Sequence, residues 1–238
     1  LRSISSLLSG IGPREGEHEK ALQALEVVLG STLADRFAAV GRGYFFKGSG
    51  IDIGQGCEAW HGFYQSLRPT QSGLTLNVDI GATAFYRALP IPDFCAELLN
   101  CRGGVRELYE RARDRTHPIS DRDRAIINRE VRNLRVNVTH RDTTRSFVIR
   151  RIAKNTANEQ SFKDQDGKEW TVAKYFSERY VKLKYPDLPC VVTGNPSNPI
   201  ALPMEVCTVL AGQRRAKRLL SSQTASMIRL TATRPRER

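Results

Sequence analysis

No stretch of this 238-residue sequence stays apolar for the roughly 18 residues a membrane-crossing helix needs, so no such helix is expected. Cysteine is scarce and odd in number: Cys57, Cys95, Cys101, Cys190 and Cys207, with no CxxC pair. That excludes a paired disulfide framework and suits reduced thiols in a cytosolic or nuclear protein. Cys57 and His61 stand four apart, a spacing that zinc sites use. No two further ligands stand close to them in the sequence, so both read as core or sheet residues, and no metal or other cofactor is expected. There is no signal-peptide pattern. No His/Cys/Asp cluster suggests a nucleophile, so no catalytic residue is assigned. The chain begins with Leu1 and ends in a basic run, which reads as a piece of a longer protein.

Acidic residues are also missing, but only from one half. Residues 1–130 hold 16 Lys/Arg and 16 Asp/Glu, whereas residues 131–238 hold 21 and 9 and carry the whole net charge of +12. A local excess of that size implies either a polyanionic partner or a solvated basic face.

The patterning begins with Glu19 to Leu29, where Ala21, Leu22, Leu25, Val28 and Leu29 share a helical face and Gly30 is read as the stop. Residues before it are rich in Ser and Gly. Short strands follow at Gly43–Phe46, Gly56–Tyr64 and Leu74–Ile80, the last alternating as a half-buried strand does. Helices are predicted from Pro92 to Leu99, from Val105 to Ala112, and from a Ser120 cap to about Val131. Leu134–Val138 reads as a strand and Arg141–Thr144 as a turn into a single strand from Ser146 to Ile152. Gly167 marks a tight hairpin, and Thr171 caps a helix from Val172 to Tyr180 that puts Tyr175 and Arg179 on one face. Asn195–Pro199 is a rigid turn before a strand at Leu202. A barrel is plausible from these short strands.

From Val138 to Cys207, aromatic rings, basic side chains and His140 interleave. Rings stack on bases and cations neutralise phosphates, so the mixture suits single-stranded nucleic acid. The ordered set Thr139-His140, Phe162, Trp170 to Tyr180 and Leu202-Pro-Met-Glu-Val-Cys207 resembles the PAZ domain of eukaryotic Argonaute proteins, the module that holds the 3′ end of a small guide RNA. Upstream, Gly43-Tyr-Phe-Phe, Trp60-His-Gly-Phe-Tyr-Gln-Ser and Leu76-Asn-Val-Asp resemble the first Argonaute linker, while Gln223–Ile228 resembles the start of the second. The resemblance divides the chain into the end of an N domain (1–38), linker 1 (39–91), the PAZ domain (92–210) and the start of linker 2 (211–238). It implies an α+β fold: an OB-like β-barrel with an inserted β-hairpin and α-helix flap, preceded by a small linker sheet.

By the same resemblance, His140, Tyr175 and Tyr180 hold the phosphate joining the last two nucleotides, with Arg179 as a basic neighbour. Phe162 lies against the terminal base, Leu202 lies beside the last ribose, and Phe147 stands where the family has a tyrosine. Arg145, Arg150 and Lys174 are expected to give weaker backbone contacts. Three departures remove phosphate contacts: Phe147 for tyrosine, Val148 for a frequent arginine, and Asn198 at a place that is often basic or polar. The expected partners are a small guide RNA through its single-stranded 3′ end, together with the MID and PIWI domains of the parent, but no membrane. The chain itself is expected not to be an enzyme, since cleavage in this family belongs to PIWI. The expected location is cytoplasmic and also nuclear. A Dicer-type PAZ domain and a protein-interaction fragment stand as alternatives.

Overall fold

The computed structural model describes residues 15–70, 73–114, 119–141, 145–164 and 167–232, with backbone alone for 15–18. The Ser/Gly-rich start, part of the predicted turns at 141–144 and 164–167, and the final basic run therefore lie outside the described residues.

In chain order the elements are α1 (Glu15–Ala34), β1 (Phe37–Val40), β2 (Gly43–Phe46), β3 (Ile51–Gly54), β4 (Cys57–Thr70) and β5 (Gly73–Tyr86). There follow α2 (Ile91–Leu98), α3 (Gly104–Arg113), α4 (Asp121–Val131), β6 (Arg135–Val138), β7 (Phe147–Val148) and β8 (Arg151–Thr156). The flap is β9 (Ser161–Lys163), β10 (Glu169–Thr171) and α5 (Val172–Arg179). The chain then runs through β11 (Pro189–Asn195), β12 (Asn198–Leu202), a 3₁₀ turn (Met204–Val206), β13 (Cys207–Val209) and α6 (Ser221–Thr231). Two compact units divide these elements. One takes the described residues of 1–53, 58–85 and 214–238, the other 54–57 and 86–213.

The first unit is a five-stranded sheet in the order β1-β2-β4-β3, with β5 paired to β4. Its core is aromatic: Trp60 stacks on Phe85 at 4.2 Å, and Phe45 meets Phe85 edge-on at 5.5 Å. Gly30 does not stop α1, which runs on to Ala34. A Cβ at Gly30 would overlap the Tyr44 hydroxyl, so the glycine serves close packing instead of a cap. The predicted helical face also fails in part, since Val28 and Leu29 are exposed. The expectation of a half-buried strand at 74–80 is overturned too: Leu76, Val78 and Ile80 are 51%, 53% and 61% exposed.

The second unit is α+β. Two three-stranded antiparallel sheets, β12-β11-β8 and β13-β6-β7, curl around Val136, Ile149, Ile152, Val191 and Val209. The strand predicted from Ser146 to Ile152 is in fact two. Ile149 N donates to Leu134 O (2.9 Å) beside the β6 sheet, while Arg150 N donates to Val192 O (2.8 Å) in the β11 sheet. The chain changes sheets there, and a corner of that kind needs a bend. Ile149 is consequently fully buried while Arg151, two residues on, is exposed, so the alternation of a single strand does not hold across the bend.

Three helices support this unit. Ser120 Oγ accepts from Asp123 N at 3.0 Å and caps α4, as Ser120 predicts. Asn128 on α4 accepts from Ile152 N at 2.6 Å through its Oδ1. Asn128→Ala should strand that N–H and cost about 1–3 kcal/mol. Chemical denaturation would measure it, and a loss near zero would show that water replaces the bond. The thiols of Cys190 and Cys207 are pushed up to about 12 by burial and behave as core groups.

Candidate nucleic-acid interface

The flap begins with a hairpin. Trp170 pairs with Phe162 across β9 and β10, and Gly167 takes the positive φ (76°) that lets its N–H reach Asp164 O at 2.9 Å. Thr171 Oγ1 accepts from Lys174 N (3.3 Å) and starts α5, as its position predicts. The flap is fastened at its base, where Val172 N donates to Gln160 O and Ala173 N to Ala157 O, both at 2.9 Å. After the helix, the Glu205 carboxylate accepts from Lys184 N (2.9 Å) and Tyr185 N (3.0 Å), although burial raises its pKa. These bonds fix where α5 and the residues after it stand.

Around α5 the rings form a continuous cluster. His140 meets Phe176 and Tyr180, each at 4.9 Å between centroids and nearly edge-on. Tyr175 contacts Tyr180 at 6.0 Å and Phe162 at 5.2 Å, and Phe176 contacts Tyr180 at 5.4 Å. Edge-to-face pairs at such distances are mutually attractive and hold the rings in a fixed array. The structure thus brings together His140, Phe162, Tyr175 and Tyr180. It adds Phe176, which is buried beneath them.

The electrostatics favour a neutral imidazole. Burial, and then the Arg141 charge, lower the His140 pKa from its usual value. His140 Nδ1 is buried with no hydrogen-bond partner among the described residues. Burial first, then a hydrogen bond with Tyr180, raise the Tyr175 pKa and keep its phenol protonated. Hydroxyls and an imidazole N–H are donors suited to a phosphate oxygen.

The basic residues are placed unevenly. Arg179 lies 5.6 Å over the Tyr175 ring and pairs with Asp164 at 3.8 Å, so part of its charge is already matched. Lys174 is exposed, its Nζ 5.8 Å from the Trp170 ring, and Lys168 lies closer, at 4.0 Å. Arg145 lies 5.6 Å over the half-buried ring of Phe147. Phe147 pairs across the sheet with the fully buried Val136, which puts its side chain on the core side of that sheet. Arg150 donates through Nε to Gly194 O (3.3 Å), beside the β11–β12 hairpin. Leu202 pairs with Val191 and is only 7% exposed. These last four residues have neighbours of their own, outside the ring cluster.

One residue the sequence reading passed over is Arg141. Its guanidinium lies 5.0 Å over the Tyr180 ring and donates to the Tyr180 hydroxyl. Only its place beside His140 could have marked it. Among the described residues, no group of three or more His, Cys, Asp or Glu could hold a metal ion. In the first unit a cavity of about 900 Å³ mixes Leu22, Tyr44 and Leu67 with Glu26, Arg42 and Arg68, and includes none of the predicted site residues.

Comparison with known proteins accords with this geometry. The PAZ domain family matches residues 105–228, just over half the chain, and the Argonaute linker 1 domain family matches residues 39–87. Protein argonaute 1A of Oryza sativa subsp. japonica is 40% identical over 225 residues, covering 92% of this chain and 20% of that protein. Protein argonaute 1D of the same plant is 39% identical over 244 residues, covering 100% and 22%. The chain therefore spans about a fifth of the length of the curated relatives it matches. The crystal structure of Kluyveromyces polysporus Argonaute with a guide RNA aligns at a TM-score of 0.59 and 21% identity, over 84% of this chain and 24% of that one, a likeness of fold. The linker match ahead of the PAZ match favours an Argonaute over a Dicer-type arrangement. Both matched regions are RNA-binding or connecting parts of such proteins, and the catalytic PIWI domain is neither of them. The chain belongs to the PAZ-domain family and, with linker 1 preceding that domain, carries these two regions of a eukaryotic Argonaute.

Proposed function

We propose that this chain anchors the 3′ end of a small guide RNA, for RNA silencing by its parent protein in the cytoplasm and nucleus. The observation that carries the reading is the array of His140, Tyr175 and Tyr180 around Phe176, with donors on three rings and guanidinium groups at its edges. Those donors suit the phosphate between the last two nucleotides, and Phe162, 37% exposed at the side of Tyr175, offers a face to the terminal base. Such stacking contributes about 1–3 kcal/mol per base. Arg179 and Lys174 add positive charge near the strand. Leu202, Phe147, Arg145 and Arg150 serve as outer contacts at most, given their separate neighbours. In this reading target cleavage belongs to the parent's PIWI domain and 5′-end capture to its MID domain. The Kluyveromyces relative, solved with a guide RNA, supports the same ligand class.

The test is a fluorescence anisotropy titration with a short RNA duplex bearing a two-nucleotide 3′ overhang. A free 3′ hydroxyl should bind better than a 3′ phosphate, a blunt duplex or a circular strand. The logarithm of affinity should fall with the logarithm of salt by about 0.7 for each phosphate neutralised. Equal binding of ended and circular strands would sink the proposal.

A further inference from the structure

The hydroxyl of Tyr180 has a neighbour that can only donate to it. Arg141 Nη2 donates to Tyr180 Oη while its guanidinium covers the ring. Tyr175 lies beside it, with ring centroids 6.0 Å apart and a side-chain hydrogen bond between the two phenols. A phenol oxygen has two lone pairs and one proton. A guanidinium has no acceptor, so with Arg141 on one lone pair the Tyr180 proton must point away from it, towards Tyr175 or towards a third group.

His140 reaches the same polarity by another route. A proton on its buried Nδ1 would have no acceptor among the described residues, so the neutral ring carries its proton most cheaply on Nε2. Two donors, O–H and N–H, are then presented from rings 4.9 Å apart. An arrangement of donors alone discriminates by the acceptor it meets. A charged oxygen receives hydrogen bonds about twice as strong as a neutral one does.

We propose that Arg141 is a positioning residue that keeps the Tyr180 proton turned away from itself and towards the ring cluster, and so sets the pocket's preference for an anionic phosphodiester over an uncharged linkage. The inference rests on the end-binding reading above and goes beyond it by naming the residue that makes the site charge-selective. Without Arg141, one lone pair of Tyr180 Oη is released. Its hydroxyl can then turn its proton towards the space Arg141 leaves and accept from solvent or ligand, and selectivity declines.

The experiment uses the 238-residue chain and two overhang RNAs, identical except at the linkage between the last two nucleotides. One carries the ordinary phosphodiester, the other an uncharged methylphosphonate. Arg141→Ala should lower affinity for the diester roughly tenfold, about 1.4 kcal/mol, and for the methylphosphonate less than about threefold. Arg141→Lys, which can still donate to the hydroxyl, should restore most of the preference. In a Tyr180→Phe background, Arg141→Ala should change diester binding by less than about twofold, since the hydroxyl it orients is gone. Equal losses for both RNAs, or additive losses in the double variant, would overturn the proposal by making Arg141 a direct contact or a fold support. If Arg141→Ala does not fold, Arg141→Gln is read by the same criteria. Failure of the unsubstituted chain to prefer the overhang over blunt duplex would instead remove the end-binding reading on which this one stands.

Discussion

Phe85→Ala should lower the stability of the first unit by about 3–5 kcal/mol, the largest loss expected from any single truncation there. Phe85 is fully buried, stacked on Trp60 at 4.2 Å and 21° between planes, and met edge-on by Phe45. Its backbone also matters, because Phe85 bridges to Arg214, and Arg215 N donates to Ala84 O at 2.8 Å. The ring therefore sits where the end of β5 meets the segment leading to α6. Removing it leaves a void between two aromatic rings that the sheet cannot close. Phe85→Leu keeps most of the volume and should cost roughly 1.5 kcal/mol or less. Differential scanning calorimetry of the two variants decides the matter. At about 4–8 °C per kcal/mol for a unit of roughly 100 residues, the alanine variant should melt at least about 12 °C earlier. Equal melting of both variants and the parent would show that the core lies elsewhere.

What the sequence made legible was local. The helices at 91–98 and 104–113 follow from periodicity, and the start of the helix at 121–131 from the Ser120 side chain that satisfies its own helix end. Thr171 and Gly167 are of the same kind. Features set by distant neighbours were not legible. Gly30 looks like a stop until Tyr44 is seen to occupy the space a side chain would need. The run from Ser146 to Ile152 looks continuous because alternation cannot announce that one strand is shared between two sheets. Leu76, Val78 and Ile80 alternate correctly and are nonetheless exposed, since a period of two says which residues share a face and not whether anything covers it.

The site divides along the same line. His140, Phe162, Tyr175 and Tyr180 could be picked out because their order and types were informative. Phe176 could not be separated from an ordinary core position, and Arg141 had no pattern at all. Nor could spacing disclose that Arg179 is paired with Asp164 across the flap. The charge available to a ligand is smaller than the count of basic residues suggests, which makes the neutral donors on the rings more important to recognition.

Phe176→Ala tests that importance most directly. Phe176 is 4% exposed and is the ring on which the donors lean: His140 at 4.9 Å, Tyr180 at 5.4 Å and Tyr175 at 6.2 Å. Its loss should cost about 3–5 kcal/mol of packing within the second unit, as for other buried phenylalanines. Each aromatic pair contributes roughly 0.5–1.5 kcal/mol beyond buried area, so three lost pairs account for a substantial part of this. The consequence for function is geometric. With Phe176 gone, His140 and the two tyrosines can no longer be held as one array, and their donors no longer converge. Affinity for overhang RNA should fall by well over tenfold, towards the level of a blunt duplex. Phe176→Leu, which preserves most of the volume, should retain the fold and lose end preference only in part. Hydrogen exchange should localise the change, with amides of 169–181 exchanging faster in the alanine variant while those of β6, β11 and β13 stay protected. Unaltered end preference in a Phe176→Ala protein with a loosened flap would show that the three donors do not need a common support, and the array would then be a packing feature and not the recognition site.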